Sequence, residues 1–199
     1  MGNPLPAQPG WSQHLLDVLP AQGQWSDGAY LWLSGNTNRL VELDDGVLEF
    51  GATPTEKHQA IVRYFHSLLR AFLGREGITF FAPLRLRLRS GRFREPDVLA
   101  LRSRHDPRRG PEYWTGADLV MEVVSPDDPQ RDWVTKRADY AAAGIPEYWI
   151  VDPQQERVCV LTLDGADYRE HGEFGRGTLA RSAAWPLEVP VSDLFAAED

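Results

Sequence analysis

Two carboxylates stand in segments that otherwise read as buried strands. Asp97 follows Pro96 in PDVLAL, and Glu122 sits inside DLVMEVVSP among Leu119, Val120, Met121, Val123 and Val124. An ionised carboxylate in a core is costly unless it is paired or coordinates a cation. If the two strands are neighbours, these side chains converge, and a shared divalent cation best relieves their repulsion. An oxygen-rich site with few protein ligands suits Mg²⁺, with Mn²⁺ as a substitute. Taken singly, each acid has an ordinary reading: Asp97 opens a strand after a proline, and Glu122 pairs with an arginine. Taken together, with a lysine in reach, they read as a metal clamp.

That lysine is Lys136. Lys57 and Lys136 are the only lysines, against nineteen arginines. In a helix over 131–143, Asp132, Lys136 and Tyr140 fall at i, i+4 and i+8 and form one stripe. A crossover helix directly after the strand 118–125 lays such a stripe over the strand ends. By itself the Asp132–Lys136 pair reads as a surface ion pair worth a few tenths of a kcal/mol. His58 points toward the apolar face of an earlier helix, near its N-terminus, where a lone histidine ordinarily serves as a core or capping residue. Arginines at 85, 87, 89, 92, 94, 102, 104, 108 and 109 face only Glu95, Asp97 and Asp106 over the same stretch. They form either a local phosphate-binding face or a solvated strand and loop.

The elements that must position these groups follow from periodicity and turn chemistry. Residues 1–28 read as an irregular lead-in with a short helix around SQHLLDVL, and 29–199 as a single domain. RLVELDDGVLEF is a hairpin turning at Asp45-Gly46. The segment from Thr53 is an amphipathic helix, with Thr53 as N-cap, Pro54 in the first position, Glu56 completing a capping box, and Ile61, Phe65, Leu68 and Phe72 on its apolar face. ITFFAPLRLRLRSG reads as a strand with one buried and one wet face, turning at Ser90-Gly91 into the returning strand FREPDVLALR. After a polar loop come the strand DLVMEVVS, the helix closed by Gly144, and the strand IPEYWIVDP. A second hairpin turns at Asp164-Gly165, and PLEVPVSDLF packs down at the end. The expected fold is α/β: a central mixed β-sheet flanked by helices, with a parallel crossover between 118–125 and 147–152.

Composition sets the outer limits. The chain has 199 residues, 42% hydrophobic and 25% charged, which suits one soluble domain with a full core. Its single cysteine, Cys159, excludes an internal disulfide or a Cys-based zinc cluster and fits a reducing, cytoplasmic setting. The N-terminus has no basic region followed by an apolar run, so no signal peptide is expected, and no stretch has the length and apolarity of a membrane span. A net charge of −8 argues against strong, indiscriminate nucleic-acid binding. Trp11, Trp25 and Trp32 suit an interface or the core equally.

The run of RLVELDDG, TPTEKHQAIV, REPDVLAL, DLVMEVVSPDD, the Asp132-Lys136-Tyr140 spacing and GIPEYWIVDP closely resembles the Uma-type restriction endonucleases of the PD-(D/E)XK nuclease superfamily. The resemblance covers about residues 39–195, and PDV, EVVSP and GIPEYWIVDP in this order are highly specific. It implies a restriction-endonuclease-like core, with Asp97 and Glu122 binding Mg²⁺ and His58 at the first-helix position beside the metal. The superfamily lysine belongs two residues after the second acid, where this chain has Val124, and the narrower family pattern moves it to Lys136. The implied activity is metal-assisted hydrolysis of DNA phosphodiesters. Lys136 would orient or deprotonate the attacking water or stabilise the developing charge, while Arg85, Arg87, Arg89 and Tyr140 would contact the substrate. By the same analogy a homodimer supplies two active sites. Glu42 matches a recurrent family position without a defined role. The alternatives are a catalytically inactive nuclease-fold module that binds DNA or protein, a hydrolase of smaller phosphate esters, and a structural domain with no site.

Overall fold

The computed structural model describes residues 19–196, so the helix expected around SQHLLDVL, like Trp11, lies outside the described residues. Helix α1 (Asp27–Gly35) comes first, capped by Ser26, whose hydroxyl accepts from Ala29 N at 3.2 Å. Residues just before it are tied to the first hairpin: Leu48 N donates to the Gln22 side chain at 2.7 Å, and Gly23 N to the Gly46 carbonyl at 2.7 Å. Trp25 is buried against that hairpin, whereas Trp32 is exposed.

Strands β1 (Val41–Asp44) and β2 (Val47–Phe50) form the expected hairpin, with Asp45 and Gly46 at positive φ. Helix α2 (Glu56–Leu73) starts two residues later than expected. Thr55, not Thr53, is the N-cap, its hydroxyl accepting from His58 N at 3.2 Å. Pro54 therefore precedes the cap, and Glu56 sits in the first turn, where an acid favours the helix dipole. Ile61, Phe65 and Leu69 are fully buried on the inner face; Leu68 is partly buried, and Phe72 is exposed but stacked on Trp185.

The long strand pair expected over 78–102 is divided between two sheets. β3 (Ile78–Phe81) pairs with β6 (Val98–Leu101), while β4 (Arg85–Arg89) pairs with β5 (Arg92–Arg94). Pro83 and Pro96 mark the divisions, because a proline offers no N–H to a ladder. The first sheet runs β2-β1-β5-β4-β7, ending at β7 (Tyr113–Trp114). The second adds β8 (Leu119–Val123), β9 (Glu147–Asp152), β10 (Arg157–Asp164) and β11 (Asp167–Gly175) in the order β11-β10-β9-β8-β6-β3. β8 and β9 pair in parallel, the relation expected of a crossover, and their neighbours pair antiparallel. A short pair, β12 (Leu179–Arg181) and β13 (Glu188–Pro190), leads to the closing helix α4 (Val191–Phe195).

The crossover itself differs from a plain helix. Residues Arg131–Lys136 form a π-helical segment that passes into α3 (Arg137–Ala142), and Gly144 follows at φ 74°. The six-stranded sheet buries both faces. Val98, Ala100, Leu119, Met121, Val123, Trp149 and Val151 meet α2 on one side. On the other, Leu99, Leu101, Val120, Val124, Tyr148 and Ile150 meet Tyr140 and Ala141 of the crossover. Because strand side chains alternate, Asp97 and Glu122 belong to this second face, under the crossover.

Candidate active site

The β6–β8 register pairs Val98 with Met121, which puts Asp97 opposite Glu122 at the strand ends. Asp97 Oδ2 accepts from Val123 N at 2.8 Å, and Asp97 N lies 3.4 Å from Glu122 Oε2. Asp97 also receives His58 Nε2 at 3.1 Å, with α2 carrying the imidazole to the end of β6. All of Asp97's polar side-chain contacts among the described residues run through Oδ2, which leaves Oδ1 uncommitted.

Glu122 is held from above. Lys136 Nζ stands 2.9 Å from Glu122 Oε1, and the Tyr140 hydroxyl donates to the same oxygen at 2.5 Å. Lys136 also reaches Asp132 Oδ1 at 3.4 Å and Glu42 Oε1 at 3.8 Å. The expected Asp132-Lys136-Tyr140 stripe exists, but it is buried rather than a surface pair. Tyr148 fixes its base, donating from its hydroxyl to the Asp132 carbonyl at 3.0 Å.

Behind Lys136 is a network that sequence reasoning did not find. Glu42 accepts from Arg131 Nη2 at 2.5 Å, from Arg94 Nη1 at 3.2 Å and from Glu95 N at 2.9 Å. Arg94, with 0% exposure, continues to Glu49 and Asp44 at 2.8 Å each and to Asp139 at 2.6 Å. Arg92 joins Asp44 to Asp139. Glu42, whose role the sequence left open, thus links this buried network to the ammonium of Lys136. A charged residue in a short alternating strand was the available signal, and its partners lie too far along the chain to be read locally.

Burial and neighbouring charge set the electrostatics of the cluster. Burial pushes Glu122 up to about 8, and Asp97, Asp132 and Glu42 add to the shift against Lys136. Asp132 is raised too, by burial first and then by Asp97 and Glu42, against Lys136. Lys136 resists its own burial and is raised, because Glu122, Glu42, Asp132 and Asp97 surround it. His58 is raised because the hydrogen bond and charge of Asp97, with Asp132, outweigh its burial. At Glu122 and Asp132 the penalty of burial exceeds the relief that Lys136 gives.

A cation fits these acids chemically. Asp97 Oδ1 and Glu122 Oε2 are hard oxygen donors on adjacent strands, facing a cavity of about 540 Å³ that His58, Asp132, Lys136 and Arg131 also line. Among the described residues no three His, Cys, Asp or Glu side chains converge as a complete metal shell, so backbone carbonyls and water must supply the remaining donors. His58 presents Nε2 to Asp97, while its Nδ1 is buried without a partner.

The substrate-contact candidates are dispersed. Arg89 is bidentate on Asp45 at 2.6 and 2.7 Å, and Arg87 bonds Asp27 at 2.8 Å. Arg85 reaches the Glu112 carbonyl at 3.3 Å and lines a second cavity, which shares His58 and Asp97 with the acid site. Tyr140 is fully buried beneath Glu122.

Comparison with known proteins identifies the fold and the family. No curated protein matches the sequence significantly. Among solved structures, the fold matches a crystal structure from Anabaena variabilis described as "a putative nuclease belonging to DUF820". The match has a TM-score of 0.66 and 20% identity, covering 79% of this chain and 90% of that one. At that identity the likeness shows the fold, a restriction-endonuclease-like α/β core. Residues 29–191 match the profile of a nuclease family, and the chain therefore belongs to the Uma2 family, whose description is "Putative restriction endonuclease".

Proposed function

We propose that this protein is a metal-dependent endonuclease that hydrolyses phosphodiester bonds of DNA. The observation that carries the reading is the pairing of Asp97 and Glu122 across adjacent strands, beneath the buried ammonium of Lys136. Asp97 and Glu122 would hold Mg²⁺ or Mn²⁺, with His58 bonded to Asp97 beside them. When bound, the cation supplies charge to the scissile phosphate and lowers the pKa of a coordinated water. His58 and the Val123 N–H fix Asp97, and Tyr140 fixes Glu122, so both carboxylates are oriented before substrate arrives. Lys136 offers a proton donor and positive charge beside Glu122, where a developing oxyanion is stabilised most strongly away from water. Glu42 and Asp132 hold that ammonium in place.

By analogy with restriction-type nucleases we expect a homodimer, which sedimentation of the purified protein would test. Among the described residues no helix is long and apolar enough to cross a membrane. With its one thiol free and buried, we place the protein in the cytoplasm with its DNA substrate.

The test is nicking of supercoiled plasmid with Mg²⁺ or Mn²⁺ by wild type, Asp97→Ala and Glu122→Ala. Each substitution should abolish metal-dependent nicking, and activity surviving both would overturn the assignment. A second reading, a nuclease fold that binds without cutting, draws on Lys136, which partly neutralises Glu122 without a metal. Calorimetric titration of Mn²⁺ separates the two, since a degenerate site would not bind it.

A further inference from the structure

We infer that the groove beside the acid pair receives an unpaired nucleotide strand, so that single-stranded or locally opened DNA is preferred over intact duplex. This deepens the nuclease reading and rests on it for the chemistry, although binding can be measured without cleavage.

The groove is a cavity of about 870 Å³ between the loop after α1, the outer face of α2 and the corner joining β3 to β4. That is within the size range of a concave ligand site. His58 and Asp97 belong to both this cavity and the acid site, so a strand lying in the groove runs directly onto the catalytic acids. Arg39, Arg63 and Arg85 line it, against Glu56 and Asp97, with Arg85 also 3.9 Å from Glu95, so the lining carries a small excess of positive charge in a chain of net charge −8. Such a chain has no long-range attraction for the dense phosphate array of a duplex, so affinity must come from local contacts. Arg87 and Arg89, the neighbouring arginines on β4, are engaged by Asp27 and Asp45.

The second feature is a fixed ring. Phe81 is 52% exposed and lines the groove. It makes an edge-to-face contact with His66, the centroids 5.0 Å apart. His66 is itself anchored, donating from Nε2 to the Thr79 carbonyl at 3.3 Å. An exposed aromatic held rigid beside arginines is the arrangement on which unpaired bases stack. Paired bases keep their faces inside the duplex and cannot use it unless they are flipped out.

The experiment measures fluorescence anisotropy of labelled oligonucleotides of about 12 nucleotides, as single strand, matched duplex and duplex with an unpaired bulge, in EDTA. Wild type should bind the single strand and the bulge at least ten-fold more tightly than the duplex. Phe81→Ala should weaken single-strand and bulge binding about ten-fold and leave duplex binding unchanged. Phe81→Trp should restore it, and Phe80→Ala, an exposed ring outside the groove, should have no effect. Duplex binding as tight as single-strand binding, or single-strand binding indifferent to Phe81, would overturn the inference. If the protein nicks plasmid but shows no Phe81-dependent preference, the groove reading fails and the nuclease reading stands. If the preference is present but no metal supports cleavage, the groove reading stands and the nuclease reading fails.

Discussion

Replacing Arg94 with methionine removes a guanidinium with 0% exposure that bonds Glu42, Asp44, Glu49 and Asp139. The size of the effect follows from what each acid keeps. Glu42 and Glu49 retain Arg131, and Asp44 and Asp139 retain Arg92, so no carboxylate is left wholly alone. Burial pushes Glu42 up, but Lys136, Arg94 and Arg131 outweigh it and hold the group at about 2, against an ordinary 4.5. That difference corresponds to about 3 kcal/mol of stability. Arg94 is one of three cations sharing it, so about 1 kcal/mol goes with Arg94. The lost bonds to Asp139 and Asp44 bring the total to about 3 kcal/mol, the lower end for breaking a buried ion pair. In a domain of this size the melting temperature should fall by roughly 6–12 °C. Because the Glu42 pKa is depressed on folding, its contribution is present above about pH 4.5 and is lost as pH falls toward 2. Urea melts of wild type and Arg94→Met followed by circular dichroism should therefore differ by about 3 kcal/mol at neutral pH and by about 2 near pH 2. An equal gap at both pH values would show that the loss is one of shape rather than charge and would refute the reasoning.

Three further substitutions separate the roles around the acid pair. Lys136→Met should lower metal-dependent nicking by roughly 100-fold or more while Mn²⁺ affinity is kept or increased, because a cation competing for Glu122 is gone. Wild-type turnover in that variant would remove Lys136 from the chemistry. Tyr140→Phe deletes the 2.5 Å bond to Glu122 Oε1 and should weaken Mn²⁺ binding about 10-fold by calorimetry; unchanged affinity would make the hydroxyl a packing feature only. Glu147 accepts from Trp149 Nε1, the Ser182 hydroxyl and the Ala183 and Ala184 N–H groups, clamping the 182–184 turn to β9. Glu147→Gln should cost about 2–3 kcal/mol in urea melts without changing nicking per folded molecule, and a selective loss of nicking would contradict that division.

The acid pair was legible because its signals are local. Asp97 and Glu122 interrupt apolar strands, Lys136 is one of two lysines, and its spacing to Asp132 and Tyr140 is helical. Turn chemistry at Asp45-Gly46, Asp164-Gly165 and Gly144 placed the hairpins and the helix end. The division of 78–102 between two sheets was hidden because the apolar run of 78–81 leads straight into the Leu/Arg alternation of 84–89, although Pro83 and Pro96 stood at the breaks. Helix α1 had a cap in Ser26 and an acid in Asp27, but Gly28 and Gly35 lowered its helical signal. The π-helical turn over Arg131–Lys136 has no composition that separates it from an α-helix, and it begins at Arg131, a partner of Glu42. The Arg94 network depends on β1 lying beside β5, a register that no short-range pattern specifies.

A crystal of the wild-type protein soaked in Mn²⁺ and measured at the manganese edge tests the metal clamp itself. An anomalous peak between Asp97 Oδ1 and Glu122 Oε2, with Lys136 beside it, is the predicted result. A peak at other acids, or none while both carboxylates are ordered, would contradict it.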